Sequence, residues 1–206
     1  EEKAKVLIKN SLIKAIKIRT YKKFGVLFSG GLDSSLIALI CKNYLKKNFE
    51  CFAVGLDNSS DLNYAEKVSR KLKLNLNIKI LTLDEIENSL KELIKILNVR
   101  DVVKLEIAVV MYTALKLAKE NNCNHVFVGG GSEEIFAGYE RHINYYKEDI
   151  RKVHLESWNG LKSMYHRDLI RDFKVAKNFN LNLLLPFLDT DLIKTAMSID
   201  PSLKVN

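Results

Sequence analysis

Gly25-Val26-Leu27-Phe28-Ser29-Gly30-Gly31-Leu32-Asp33-Ser34-Ser35 decides the fold. The apolar run from Gly25 to Phe28 ends on a glycine pair, and from Ser34 onward Leu36, Ile37, Ile40 and Tyr44 fall at helical spacing. That is strand, turn, helix. The unit recurs: Cys51-Phe52-Ala53-Val54-Gly55-Leu56 reads as a buried strand, and Leu62, Ala65, Val68 and Leu72 then share one helical face. Leu74, Leu76, Ile78 and Ile80 alternate with Asn75, Asn77 and Lys79, the pattern of a strand with one wet face near a sheet edge. Two helices are expected next. The first carries Ile86, Leu90, Leu93, Ile94 and Leu97 as a stripe; the second, Leu105 to Ala118, is apolar nearly all round and so expected to be buried. His125-Val126-Phe127-Val128 returns to strand. Parallel strands need crossover helices of this length, so the fold class is α/β, a mostly parallel doubly wound sheet flanked by helices. Beyond Tyr139 the chain reads as helical and irregular, with its two prolines, Pro186 and Pro201, at late turns.

The chain has 206 residues, 47% of them hydrophobic and 28% charged, which excludes general disorder. No apolar run approaches the about 20 residues needed to cross a bilayer. Three cysteines form no disulfide framework, and no basic-then-apolar leader precedes a cleavage site, so a reducing, cytoplasmic setting is expected. Cys41 and Cys51 are expected to pack as small core residues. The formal charge of +8 is unevenly placed, since Glu1 to Phe24 hold eight basic and two acidic residues, or +6. Val6, Leu7, Leu12, Ile13 and Ile16 give that segment an apolar stripe between lysines. Residues 1–23 are therefore expected to form a basic helix packed on one domain spanning 24–206. The sequence opens at Glu1 without a methionine, which leaves an upstream domain open.

Five of the nine glycines lie in two clusters, Gly30-Gly31 and Gly129-Gly130-Gly131, each just after an apolar strand-like run. Ligands of open parallel sheets bind at the carboxyl ends of strands, and two glycine turns there imply one site. Glycine lets main-chain amides approach a ligand, and a helix starting at once adds its positive dipole end, so Ser29 to Ser35 is expected to cradle an anion. Neither G-x-x-x-x-G-K-[ST] nor G-x-G-x-x-G occurs. Ser29, Ser34 and Ser35 supply hydroxyls to donate to phosphate, whereas the Asp33 carboxylate would repel it unless a divalent cation intervened, so Asp33 predicts Mg²⁺. His125, His142, His154 and His166 show no paired metal spacing.

Ser29-Gly30-Gly31-Leu32-Asp33-Ser34 resembles the SGGxDS pyrophosphate loop of the ATP pyrophosphatase superfamily, and the later stretches of the chain are similar to the synthetase domain of glutamine-dependent asparagine synthetases. The family's FAVGL recurs as Phe52 to Leu56, its SGEGSDEIFGGY as Val128 to Tyr139, and the end of its VPFLD as Pro186 to Asp189. The resemblance implies an adenine nucleotide alpha hydrolase-like fold with a helical C-terminal part. It also implies an AMP-forming ligase in which an acceptor carboxylate or other carbonyl oxygen attacks the α-phosphorus of ATP, pyrophosphate leaves, and ammonia or another amine then attacks. By the same resemblance, main chain near Phe28, Val54, Val128 and Gly129 contacts the nucleotide together with Ser29, Gly30, Gly31, Asp33, Ser34 and Ser35. Asp33 and Glu133 are the metal carboxylates, and Lys174, twelve residues before Pro186, stabilises charge on the α-phosphate. Glu134 is a second catalytic candidate, or an acid favoured by a helix N-terminus.

Three departures from the family bear on the acceptor. The glutamate of SGEGSDE is Gly130 here; DVTTIRAS reads Asp101 to Ala108 with Glu106 in place of a substrate-facing arginine; and Asn182 and Leu184 replace the charged pair of VEARVPFLD. Glu106 would repel a carboxylate, which argues against aspartate as acceptor. The family's N-terminal cysteine glutaminase has no counterpart among these residues, so free ammonia or a separate glutaminase is expected. Two alternatives stand beside the ligase: a tRNA base-modifying enzyme of the same superfamily that uses Lys14 to Lys23 on RNA, and a nucleotide-binding module without catalysis. Tyr139, Tyr145 and Tyr146 with Arg141 and Lys147 suit either base stacking or a helical packing surface.

Overall fold

In the computed structural model, which describes residues 1–205, the apolar runs become five short strands. They are β1 (Gly25–Leu27), β2 (Glu50–Gly55), β3 (Leu76–Ile80), β4 (His125–Phe127) and β5 (Asn182–Leu184). All pair in parallel, in the order β3-β2-β1-β4-β5. Gly25 permits the β1–β2 approach, because a Cβ there would lie 2.4 Å from a ring carbon of Phe52. Sequence order runs outward in both directions from β1, so the switch point of this doubly wound sheet lies between the adjacent strands β1 and β4.

Helices alternate with the strands as the periodicity predicts: α1 (Glu2–Lys17), α2 (Leu32–Leu39), α3 (Ser60–Leu72), α4 (Leu83–Leu97), α5 (Val102–Glu120), α6 (Ser132–Phe136), α7 (Glu140–Glu148), α8 (Ile150–Met164), α9 (Ile170–Asn178) and α10 (Thr190–Met197). A π-helical turn, Ile40–Tyr44, extends α2, and another spans Tyr165–Leu169. Thr82 and Glu85 close a capping box on α4, and Asp101 caps α5, so both helices start where local chemistry allows.

The chain divides into two units. One comprises Thr20–Val128 and Asp168–Leu184 and contains the whole sheet. Its core joins Phe52 and Val126 of the sheet to Leu93 and Leu97 of α4, to Leu105, Ala108, Val109, Leu115 and Ala118 of α5, and to Val175 and Ala176 of α9. Cys41, Cys51 and Cys123 are free and buried, and burial pushes the Cys41 and Cys51 thiols up to about 12. β3 is an edge strand, as its alternation predicts, and β5 forms the other edge.

Two expectations are corrected here. α5 is not buried all round: Val102, Val103, Ile107 and Val110 are 48–66% exposed, because only one stripe of the helix meets the core. β5 is a strand within the stretch read as helical and irregular. Its three residues, with Leu185 and Pro186 immediately after them, are too few to show a period.

The second unit comprises Glu1–Arg19, Gly129–Arg167 and Leu185 onward, and is helical. Only the C-terminal half of α1 is buried, through Leu12, Ala15 and Ile16, while Val6 and Leu7 are exposed. Lys14 pairs with Asp191 at 2.7 Å and Arg19 with Asp189 at 2.8 Å, which ties α1 to the start of α10. Burial works to raise the Asp189 carboxyl, but Arg19 and the amides of Leu192 and Asp191 outweigh it and hold the group below its ordinary value.

Candidate functional site

At the carboxyl end of β1, Phe28 stays in the ladder by donating its N–H to Phe52 O at 2.8 Å. The chain then turns through Ser29 and Gly30 into α2. Gly30 has φ +77, and a Cβ on it would lie 2.9 Å from Ala65 Cα, so it is needed to seat the turn against α3. Gly31 differs. A Cβ there would meet only Ser29 Oγ, at 3.2 Å, so this is the glycine that leaves open space beside the main chain. Gly31 is also the N-cap of α2, and no side chain caps that helix. The first amides of a helix have no partner within it, so the start of α2 keeps donors and dipole for an outside anion.

The serines divide by role. Ser34 is buried and its hydroxyl donates to Gly31 O at 3.2 Å, while Ser35 donates to Gly30 O at 3.1 Å. A hydroxyl has one hydrogen, and in this arrangement both are given to carbonyls of the turn. Ser29 Oγ accepts from the Gly31 N–H at 3.3 Å and lies 3.4 Å from Ser34 Oγ. It is exposed, and with the Ser34 hydrogen given to Gly31 O it is the Ser29 hydroxyl that donates across that long contact. Asp33 stands in the first turn of α2, half-buried beside these groups.

Other expected residues of this unit sit at the same edge of the sheet or on a neighbouring helix. Val54 is near the carboxyl end of β2, and Val128 comes directly after β4, its N–H bonded to Leu184 O at 3.0 Å. Phe28 and Val128 therefore extend the two strands that flank the switch point. Lys174 lies on α9, exposed, with Nζ 3.5 Å from Leu97 O at the end of α4. One turn earlier, buried Arg171 pairs with Asp172 at 2.8 Å and lies 3.6 Å from Asp168. Burial raises the Asp172 carboxyl above its ordinary value, with Arg171 opposing. This cluster was missed from sequence; Asp-Leu-Ile-Arg-Asp at i, i+3, i+4 was the available signal.

In the helical unit the second glycine cluster has another purpose. Gly131 has φ +98, and a Cβ on it would overlap Leu188, 2.4 Å from Cδ2. At Gly130 a Cβ would meet Leu185 Cδ2 at 3.3 Å and Met164 Cε at 3.4 Å. These glycines admit neighbouring side chains, where the sequence led us to expect a ligand. Gly129 is half-buried and accepts from Ser132 Oγ at 3.0 Å.

Glu133 and Glu134 come next, in α6, and point apart. Glu133 is exposed, whereas Glu134 is 1% exposed. Its Oε1 accepts from Tyr139 Oη at 2.8 Å and pairs with Arg167 Nη2. A carboxylate enclosed and paired in this way holds the fold together around α6. Burial, then Glu134 itself, raises the Tyr139 hydroxyl above its ordinary value, and Arg141 lies over the Tyr139 ring at 4.0 Å. The Tyr139–Arg141 pair is thus part of the packing.

Comparison with known proteins accords with the motifs. The family model for asparagine synthase matches residues 7–150. A putative glutamine-hydrolyzing asparagine synthetase of Methanocaldococcus jannaschii is 33% identical over 200 residues, covering 97% of this chain and 36% of that protein. A glutamine-hydrolyzing asparagine synthetase of Arabidopsis thaliana is 30% identical over 212 residues, again 97% of this chain and 36% of the relative. The chain thus spans about a third of the length of these curated relatives. Among solved structures, an NH3-dependent NAD synthetase from Campylobacter jejuni aligns loosely, at a TM-score of 0.46 and 19% identity over 95% of this chain and 90% of that one. On the family match and the extent of the sequence identity, this chain belongs to the asparagine synthase family.

Proposed function

We propose that the turn between β1 and α2 holds the pyrophosphate end of ATP and that the chain is an AMP-forming ligase. An acceptor oxygen, of a carboxylate or another carbonyl group, attacks the α-phosphorus; the bond to the β-phosphate oxygen breaks and pyrophosphate leaves. Ammonia or another amine then displaces AMP. The observation that carries this reading is the uncapped start of α2 at the carboxyl end of β1, with Ser29 beside it. Donors fixed there before the reaction stabilise charge as it grows on the leaving group.

The donor set suits Mg²⁺. Asp33 lies in the cradle, and among the described residues no group of three or more His, Cys, Asp or Glu side chains is arranged as a metal cage. An ion held by one or two carboxylates and shared with phosphates needs none. Mg²⁺ would neutralise charge on the leaving pyrophosphate. Asp33 and, by its place in the motif, Glu133 are proposed to hold it. Lys174 is proposed to face the α-phosphate, and main chain at Phe28, Val54, Val128 and Gly129 to frame the nucleoside. A separate glutaminase, or free ammonia, is proposed as the nitrogen source.

Gly130 favours a second reading, a nucleotide-binding module. The position where the family motif carries a glutamate has no side chain here and is walled by Leu185 and Met164. For the tRNA reading, Lys14 and Arg19 pair with Asp191 and Asp189, and Lys17, Lys22 and Lys23 are exposed. Pyrophosphate exchange into ATP, run across amino acids, other carboxylates and tRNA, tests all three. Exchange driven by a small carboxylate is expected; Mg-ATP binding with no exchange for any acceptor would leave the binding module, and exchange with tRNA alone the base-modifying enzyme.

A further inference from the structure

Three polar atoms in the helical unit are buried without a hydrogen-bond partner: Glu134 Oε2, His142 Nε2 and Ser157 Oγ. Each parent residue is 1% exposed or less, and such orphans are uncommon enough in folded proteins that each needs an account. They belong to one neighbourhood. Glu134 lies against Gly160 of α8, where a Cβ would be 3.1 Å from its Cγ, and Ser157 is one turn earlier on the same face of that helix. Tyr139 links the other two: its hydroxyl donates to Glu134, and its ring stacks on the His142 ring with centroids 5.7 Å apart.

The orphans are also complementary. His142 Nδ1 accepts the Tyr139 N–H at 3.2 Å, so the ring proton sits on Nε2, which is a donor in need of an acceptor. Burial, and then Arg141, hold the imidazole below its ordinary value, which keeps it neutral. Glu134 Oε2 is an acceptor in need of a donor, and the Ser157 hydroxyl serves as either. A metal ion does not suit the set, because it would need a bare Nε2. A free cation does not suit it either, because Arg167 already matches the Glu134 charge.

We propose that α6, α7 and α8 enclose a binding site for one neutral molecule of water's size, which accepts from His142 Nε2 and donates to Glu134 Oε2 and Ser157 Oγ. A buried water with three such partners is the usual occupant of a polar internal cavity. Bound there, it ties the five-residue α6, too short to hold its own shape, to two longer helices. The site stands independently of the nucleotide reading.

The test uses the whole chain. A crystal structure fine enough to show waters is expected to reveal one isolated density at about 2.7–3.2 Å from all three atoms. In solution, NMR is expected to find the His142 proton on Nε2, slow to exchange and in contact with a bound water. Ser157→Ala should speed that exchange at least tenfold; if the variant does not fold, the wild-type spectrum decides. A direct Nε2-to-Oε2 hydrogen bond, an empty cavity, or a proton on Nδ1 would each overturn the proposal.

Discussion

The two glycine turns look alike in sequence and differ in what they admit. After β1, Gly30 is filled from behind by α3, and Gly31, at an uncapped helix start, faces only the Ser29 hydroxyl. After β4, Gly131 and Gly130 face Leu188, Leu185 and Met164. A glycine therefore reports that something comes close to the main chain, and only the structure says whether that is a ligand or a neighbouring side chain.

Substitutions can break this contrast. Gly131→Ala has the largest expected effect: a positive φ and overlap with Leu188 should cost about 3 kcal/mol, read as a fall in thermal midpoint. Equal stability would mean that Leu188 moves aside freely. Asp33→Asn should weaken Mg-ATP about thirtyfold by calorimetry while leaving metal-free ATP nearly unchanged. Gly31→Ala should keep the melting temperature within a degree or two and weaken Mg-ATP about tenfold, the reverse of Gly131→Ala. Ser29→Ala is expected to weaken it about fivefold and Ser35→Ala less than twofold, since Ser29 is exposed and holds its hydrogen only across a 3.4 Å contact, whereas Ser35 donates to Gly30 O at 3.1 Å. If Ser35→Ala were the worse of the two, the division of serines would be wrong.

A further effect falls outside both turns and calibrates the helical unit. Burial lowers Lys204 to about 8, so its folded value lies below the unfolded 10.5. Below about pH 8 the amine is charged in both states and folding bears the full cost of burying that charge; between about 8 and 10.5 folding releases the proton, and the penalty fades as pH rises. Lys204→Met should gain about 1 kcal/mol at pH 7 and progressively less above pH 8, measured by denaturant unfolding across pH.

Much of the sheet was legible because periodicity reports faces. Leu76, Ile78 and Ile80 against Asn77 and Lys79 gave one edge strand, and Cys51 to Leu56 gave a central one. What could not be read was what each face meets. Val103 and Ile107 look as apolar as Leu105 and Ala108, yet they are 64% and 48% exposed, because only one side of α5 rests on the core. β5 was hidden by brevity. At the site, the Ser-Gly-Gly-Leu-Asp-Ser run located the turn, but the hydroxyls of Ser34 and Ser35 were claimed by carbonyls three and five residues back, a competition that spacing alone does not reveal. Glu134 was legible as an acid in a first turn; its enclosure by Tyr139 and Arg167 depended on residues up to 33 positions away.

Gly131 carries a lesson for anyone ranking relatives by motif. Its demand is steric, so a descendant that no longer turned over any substrate would still be selected to keep it, and its presence certifies folding alone. The glycine to inspect is Gly31, whose replacement is expected to leave the architecture intact and to weaken only the nucleotide binding proposed for its turn.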